Sequence, residues 1–271
     1  PADAALFKPG ELVAIDGTLG EVPHGKGFWL PNVLGRVKSV EGARIHLTGP
    51  VDAPRIRGTY QTRDGNRPGI RRLNTGLKSG IRDSAGRTWP LFVAENAGIR
   101  GMTLAQSQSI GWFLPTLAVE HCFVEDCRII GRGIGGNPVA HSRFERLEIR
   151  HQKYPLEFAY LSHDTLVKDV TFVQLADGES SRSQGIWVNS NEGGKRITFD
   201  NITRYGFSDM QKPPEFGIAL FDGSVLKNSR IFAPASQGAL AYRSSIINST
   251  IVASAHASSA LVVSDSTVET S

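Results

Sequence analysis

Apolar and polar positions alternate through one short phrase that returns eight times between residues 91 and 271, at intervals of 17 to 32 residues. Anchored on its third residue, the phrase reads GMTL at 101, DCRI at 126, RLEI at 146, DVTF at 169, NITR at 201, NSRI at 228, NSTI at 248 and DSTV at 265. Four residues before the anchor stand Ile99, Val124, Phe144, Val167, Phe199, Leu226, Ile246 and Val263. Directly after it stand Leu104, Ile129, Ile149, Phe172, Arg204, Ile231, Ile251 and Val268, while the anchors themselves, such as Thr103, Arg128, Glu148 and Thr171, are polar. A period of two predicts strand. Two residues before the anchor, Asp126, Asp169, Asn201, Asn228, Asn248 and Asp265 interrupt that strand at a fixed place. Asn and Asp accept left-handed backbone and bond their own main chain, so one bend is predicted per repeat.

Strand, Asn/Asp bend and strand, joined by spacers of variable length, is the sequence form of a solenoid, whose coils bury their apolar residues only against one another. In this the chain resembles the right-handed parallel β-helix of the pectate-lyase-like superfamily, in which stacked Asn side chains form a ladder at one turn. That superfamily includes polysaccharide lyases, glycoside hydrolases and phage tail spikes. The expected fold is mainly β: a right-handed parallel β-helix of about eight coils over 91–271, preceded by a small antiparallel β unit over 1–52 and a basic linking segment over 53–90. The antiparallel unit rests on the strand-like runs GELVAI at 10, FWLPNVLGRVKSV at 28 and ARIHLTGPV at 43, separated by the turn signals IDG, PHGKG and EGA.

A third strand per coil is read from GWFLP at 111, LEFAY at 156, GIWVN at 185, GIALF at 217, GALAY at 238 and SALVV at 259. With Leu156, Phe158, Ile186, Val188, Ile218, Leu220, Ala239 and Ala241 inward, alternation sends Glu157, Trp187, Asn189, Phe221 and Tyr242 outward. Stacked coils lie about 4.8 Å apart, so these residues line up as one linear face. The resemblance implies that a long polysaccharide lies along such a face, with catalytic groups on it or on flanking loops.

The longest spacers precede that strand: RHQKYPLEFAYLSHD from Arg150, QLADGESSRSQG from Gln174 and YGFSDMQKPPEFG from Tyr205. Added loop length is surface and frequently functional, and all three inserts are expected at one edge of one face. Glu157 is flanked there by Lys153 and Tyr154 on one side and by His163 and Asp164 on the other, with His151 nearby. Lyase-type elimination on a uronate needs a base for the proton α to the carboxylate and a cation to neutralise that carboxylate. The candidate catalytic residues are therefore Glu157, Lys153, Tyr154, His151 and His163, and the candidate substrate-binding residues are Trp187, Asn189, Asp222, Tyr242 and Arg182. A glycoside hydrolase would instead draw a carboxylate pair from Glu157, Asp177, Glu179, Asp209, Glu215 and Asp222, since it needs two carboxyl groups roughly 5 to 9.5 Å apart. A non-catalytic tail-spike or adhesin module that binds glycan is the third reading.

Charge sharpens the substrate class. From Arg55 to Arg87 nine basic residues face two aspartates, a local net charge of +7 in a chain whose net charge is +4. Such a surface suits an acidic polysaccharide or is a solvated segment. Nucleic acid is not expected as a partner, because neither a groove-reading helix nor a stacking platform is found. No apolar run reaches the eighteen or so residues of a membrane span. Cys127 falls in a column with Met102, Leu147, Val170 and Ile202 and reads as a buried free thiol, with a local disulfide or ligand pair with Cys122 as the alternative. No cofactor is expected; calcium at the acidic DGE of 177 is the one candidate, without a complete calcium loop. The apolar last coil predicts a homo-oligomer, a trimer by resemblance to tail spikes, or a chain cut from a longer one. Extracellular, periplasmic or virion-associated localisation follows from the resemblance alone.

Overall fold

In the computed structural model, the structure describes residues 4–15, 33–49, 70–72, 81–82, 88–89, 92–105, 117–131, 133–136, 139–151, 155–158, 162–175, 185–188, 194–206, 217–221, 223–233, 238–253, 262–264 and 267–270. The chain divides into two compact units, Pro1–Val93 with Asn191–Gly193, and Ala94–Ser190 with Gly194–Ser271. The first contains an antiparallel sheet in the order Arg44–Leu47, Val33–Glu41, Leu12–Ile15, Ile70–Arg72. Val13 and Val37 are buried on one face of it and Leu12 on the other. The small antiparallel unit is thus formed, and it takes its fourth strand from inside the basic segment. Apart from that strand and the pair Ile81–Arg82 with Thr88–Trp89, residues 53–90 lie outside the described residues, and most of the +7 stretch with them.

The second unit is a parallel β-helix, and its registers are the columns of the repeat. Ile99, Val124, Phe144, Val167, Phe199, Leu226, Ile246 and Val263 stand opposite one another in that order across successive strands. So do Leu104, Ile129, Ile149, Phe172, Arg204, Ile231, Ile251 and Val268. A third sheet runs Ile134–Gly136, Leu156–Phe158, Ile186–Val188, Ile218–Phe221, Ala239–Tyr242. All eight inward residues expected of those strands are buried.

The coil count is smaller than eight. A phrase counts a rung of the large sheet, whereas a full turn also needs a strand in the third sheet, and that sheet has five strands among the described residues. Val262–Ser264, the end of SALVV, pairs with Ser245–Ile247 in the large sheet and is therefore not a third strand. GWFLP lies outside the described residues.

Each coil turns twice within five residues. Left-handed backbone recurs at Asn96 and Gly101, His121 and Asp126, His141 and Arg146, Asp164 and Asp169, Arg196 and Asn201, Gly223 and Asn228, and Arg243 and Asn248, all with φ between 46° and 80°. The second member is the bend read from the phrase at Asp126, Asp169, Asn201, Asn228 and Asn248, and it is present also at Gly101 and Arg146; the first was not foreseen. Between stacked second bends the amide of Asn201 donates to Asp169 (2.6 Å), and that of Asn248 to Asn228 (2.8 Å). These are two rungs of a ladder, interrupted between them because the Asn228 amide donates to Asp200 (2.9 Å) and not to Asn201.

Buried hydroxyls stitch the corner from within. Ser142 Oγ accepts from the Cys122 amide at 3.1 Å, Ser224 Oγ from Ile197 at 3.1 Å, Ser229 Oγ from Ile202 at 3.0 Å and Ser249 Oγ from Ser229 at 3.1 Å. Each satisfies a buried N–H of the neighbouring coil that the bend leaves without a ladder partner. Entry to the third sheet is steric: a Cβ on Gly217 would stand 2.6 Å from the Gly238 carbonyl and 2.8 Å from Ala233 Cβ. Only glycine lets the coils approach there.

Candidate functional site

The third sheet and the corner that follows it meet in one coil. Leu156 and Phe158 are buried, which turns Glu157 to the outer face, where it is half-buried. Its register neighbours are Gly135 and Trp187; Trp187 in turn lies beside Ala219, and Ala219 beside Leu240. Ala219 is 1% exposed, so the outer face is not bare along its whole length. Trp187 and Tyr242 occupy the strands as expected, with side chains outside the described residues.

Seven residues after Glu157 the chain reaches the first bend of its corner, Asp164, and there polar chemistry concentrates. His163 Nδ1 lies 2.8 Å from Asp164 Oδ2. Arg196, in the same bend of the next coil, donates from Nε to Asp164 Oδ1 at 2.8 Å and from Nη2 to Oδ2 at 2.7 Å. This two-bond clamp, helped by His163, holds the Asp164 carboxyl well below the usual carboxylate range despite its partial burial. Burial lowers the His163 imidazole below its ordinary value, and His141 and Arg196 push the same way, against the opposite pull of Asp164. His163 therefore stands neutral at pH 7. The bond to an ionised carboxylate places the ring proton on Nδ1 and leaves the Nε2 lone pair available. His141 meets His163 edge-on with centroids 5.0 Å apart, and His121 stacks on His141 at 5.2 Å, so three imidazoles climb three coils.

Metal capacity can be judged from the donors. His141, His163 and Asp164 bring one ligand atom each to within 4.8 Å of one another. Two imidazoles and a carboxylate suit a transition metal and not calcium, which takes six to eight oxygens. Arg196 already occupies both Asp164 oxygens, so a cation would have to displace it.

His151 is elsewhere. It ends the strand Arg143–His151 with its side chain inward and is 0% exposed, enclosed in the helix interior and away from the face on which the sequence set it. Parity explains this: His151 is two residues beyond buried Ile149 and shares its side of the strand. Lys153, Tyr154, Arg182, Asn189 and Asp222 lie outside the described residues, as do Asp177, Glu179, Asp209 and Glu215. The strands from which the three inserts depart end side by side, with His151 opposite Gln174 and Val173 opposite Tyr205. His121, His141 and Arg196 were missed by the sequence reading. Their signal was available as a second column, five residues before the Asn/Asp bend, but its residue types vary from Asn and His to Asp, Arg and Gly.

No family model matches the chain. Among solved structures, it is similar to the tailspike protein gp49 from Pseudomonas phage LKA1, with a TM-score of 0.53 and 13% identity over 97% of this chain. The chain spans 42% of the length of that protein. What the two share is the fold, a parallel β-helix of tail-spike type.

Proposed function

We propose that this chain is a glycan-recognising β-helix of a virion-associated or extracellular fibre, and that it cleaves an acidic polysaccharide by lyase-type elimination. One observation carries the chemistry: a neutral imidazole, His163, oriented by an ionised Asp164 that Arg196 clamps, in the same coil as outward Glu157. Likeness to a protein titled a tailspike supports the glycan class, and the basic stretch from Arg55 to Arg87 favours uronate.

In this reading Nε2 of His163 takes the proton α to the uronate carboxylate. The released electron pair forms the new carbon–carbon double bond, the glycosidic C–O bond β to the carboxylate breaks, and the leaving oxygen takes a proton from Tyr154 or Lys153. Arg182 neutralises the carboxylate, while Trp187, Asn189, Asp222 and Tyr242 position the sugar. No metal takes part, so a chelator leaves the rate unchanged.

The test is incubation with a panel of uronate polysaccharides, read by the absorbance of the unsaturated product. H163A is expected to lose about 10²–10⁴-fold, the usual weight of a general base. The rate should rise with pH through an inflection below the ordinary imidazole value of about 6.5, because only neutral His163 accepts a proton. Reducing ends without unsaturation would mean hydrolysis. A binding-only module is favoured by a separate observation, that Asp164 occupies a bend which Asn96, His121, His141 and Arg243 fill in other coils without it. In that case glycan is retained and its chain length does not change.

Assembly belongs to the same proposal. Tyr205 and Phe232 are 54% and 42% exposed and stand opposite one another on adjacent coils, with Val252 next in register. An apolar stripe of this kind supports side-by-side association of copies, as a trimer in tail-spike manner.

A further inference from the structure

Arg204 breaks an apolar column. Its register neighbours are Phe172 and Ile231, and like them it points into the β-helix, where it is 1% exposed. Among the described residues none of its three guanidinium nitrogens has a hydrogen-bond partner. A residue with this column address should be apolar, and the charge has not been discharged: burial lowers the group only to about 10, so it is cationic at neutral pH.

The surroundings have the same character. His151 is fully buried, neither ring nitrogen has a partner among the described residues, and it lies close enough to Arg204 for that charge to disfavour its protonation. Gln174 stands opposite His151 in register. Just past the end of Arg204's strand, a Cβ added to Gly206 would stand 3.1 Å from the Phe232 carbonyl and 3.8 Å from Arg204 Nη1, so the coils close tightly there. A lone buried cation costs several kcal/mol unless an opposite charge meets it. Among the described residues no carboxylate does so.

We infer that the β-helix interior at Arg204 and His151 is a binding site for one small, weakly hydrated monoanion of the halide class. Charge sets the valence, since one guanidinium neutralises one negative charge and a dianion would leave a buried surplus. Dehydration sets the class, because a site without solvent takes an ion that gives up its water readily. The guanidinium supplies a fork of donors, and neutral His151 supplies one further N–H. This inference is independent of the glycan reading, since the site lies inside the wall and not on its outer face.

The test is thermal unfolding of the full chain at constant ionic strength, with gluconate replaced stepwise by chloride or bromide. A saturable rise in Tm is expected, growing with the logarithm of halide concentration once the site fills. General salt effects act equally on R204M, which is expected to show no saturable rise. Should R204M fail to fold, R204K keeps the charge without the fork and should need more halide for the same rise. A crystal soaked in bromide should show anomalous scattering within contact distance of Arg204. A wild-type Tm indifferent to halide, an equal rise in the folded variant, or bromide absent from Arg204 overturns the inference. So does an Arg204 found paired with an acid of the inserts, tested by D209N and E215Q abolishing stability without any halide response.

Discussion

His151 and His163 each carry an imidazole whose proton the fold resists, the first because it is wholly buried beside Arg204, the second through burial at the corner. Both folded values lie below the unfolded one, so below about pH 6.5 the unfolded chain binds more protons and stability falls as pH falls. Asp164 acts in a lower window: its folded carboxyl is depressed, so the contribution it makes is complete above about pH 4 and is lost as acid reaches the depressed value. The expected outcome is a Tm that declines from pH 7 to 5, with a shallower slope in H151L than in H163N because His151 is the more deeply enclosed. Equal slopes in wild type and H151L would sink the account. Single residues were read from the sequence where parity alone decides them. Leu156, Phe158 and Glu157 fell on the expected sides, and Cys127 is the buried free thiol expected. His151 failed because it was judged by its neighbours in the insert and not by its distance from Ile149. Arg204 stood in plain view in an apolar column, and its being buried anyway is the kind of local violation that marks a constrained site.

Bends and hydroxyls, and not apolar strands alone, define the coil as an element. Ser229 is the clearest test, because its Oγ accepts from the buried Ile202 N–H and donates to the Lys227 carbonyl at 2.6 Å. S229A leaves that N–H without a partner, and a loss of about 1–3 kcal/mol is expected in denaturant unfolding. An unchanged midpoint would mean that the serine ladder contributes nothing. The Asn/Asp bend was legible because few residue types tolerate left-handed backbone, so the choice repeats at Asp126, Asp169, Asn201, Asn228 and Asn248, with Gly101 and Arg146 as the exceptions. The bend five residues earlier was not, since His121, His141, Arg196 and Arg243 occupy left-handed backbone there against their own preference. Sequence chemistry shows a bend only when it is made by residues that favour one. That earlier bend is also where His163, Asp164 and Arg196 meet, which is why the polar cluster could be read only in part, from Glu157 and its flanks.

For the whole molecule, a solenoid has no natural limit to its apolar stacking except what covers its sides and ends, and the side bearing Tyr205 and Phe232 is uncovered. Their strands pair in parallel with coils on both sides, Tyr205 beside Val173 and Phe232 beside Val252. An apolar stripe in water attracts a matching one, and rotational repetition of one surface closes into a ring when the angle permits. Reversing the polarity at its centre should therefore separate the copies without harming the coil, because Phe232 faces outward while Ile231 and Ala233 on either side of it fill the interior. F232E is expected to sediment as a monomer, with circular dichroism and Tm close to those of wild type at low concentration. Wild type is expected to sediment as a trimer whose Tm rises with protein concentration, as mass action requires of any assembly that forms only from folded chains. A wild type that is monomeric at every concentration would refute association through this face. An F232E that stays trimeric would move the interface to another side of the helix.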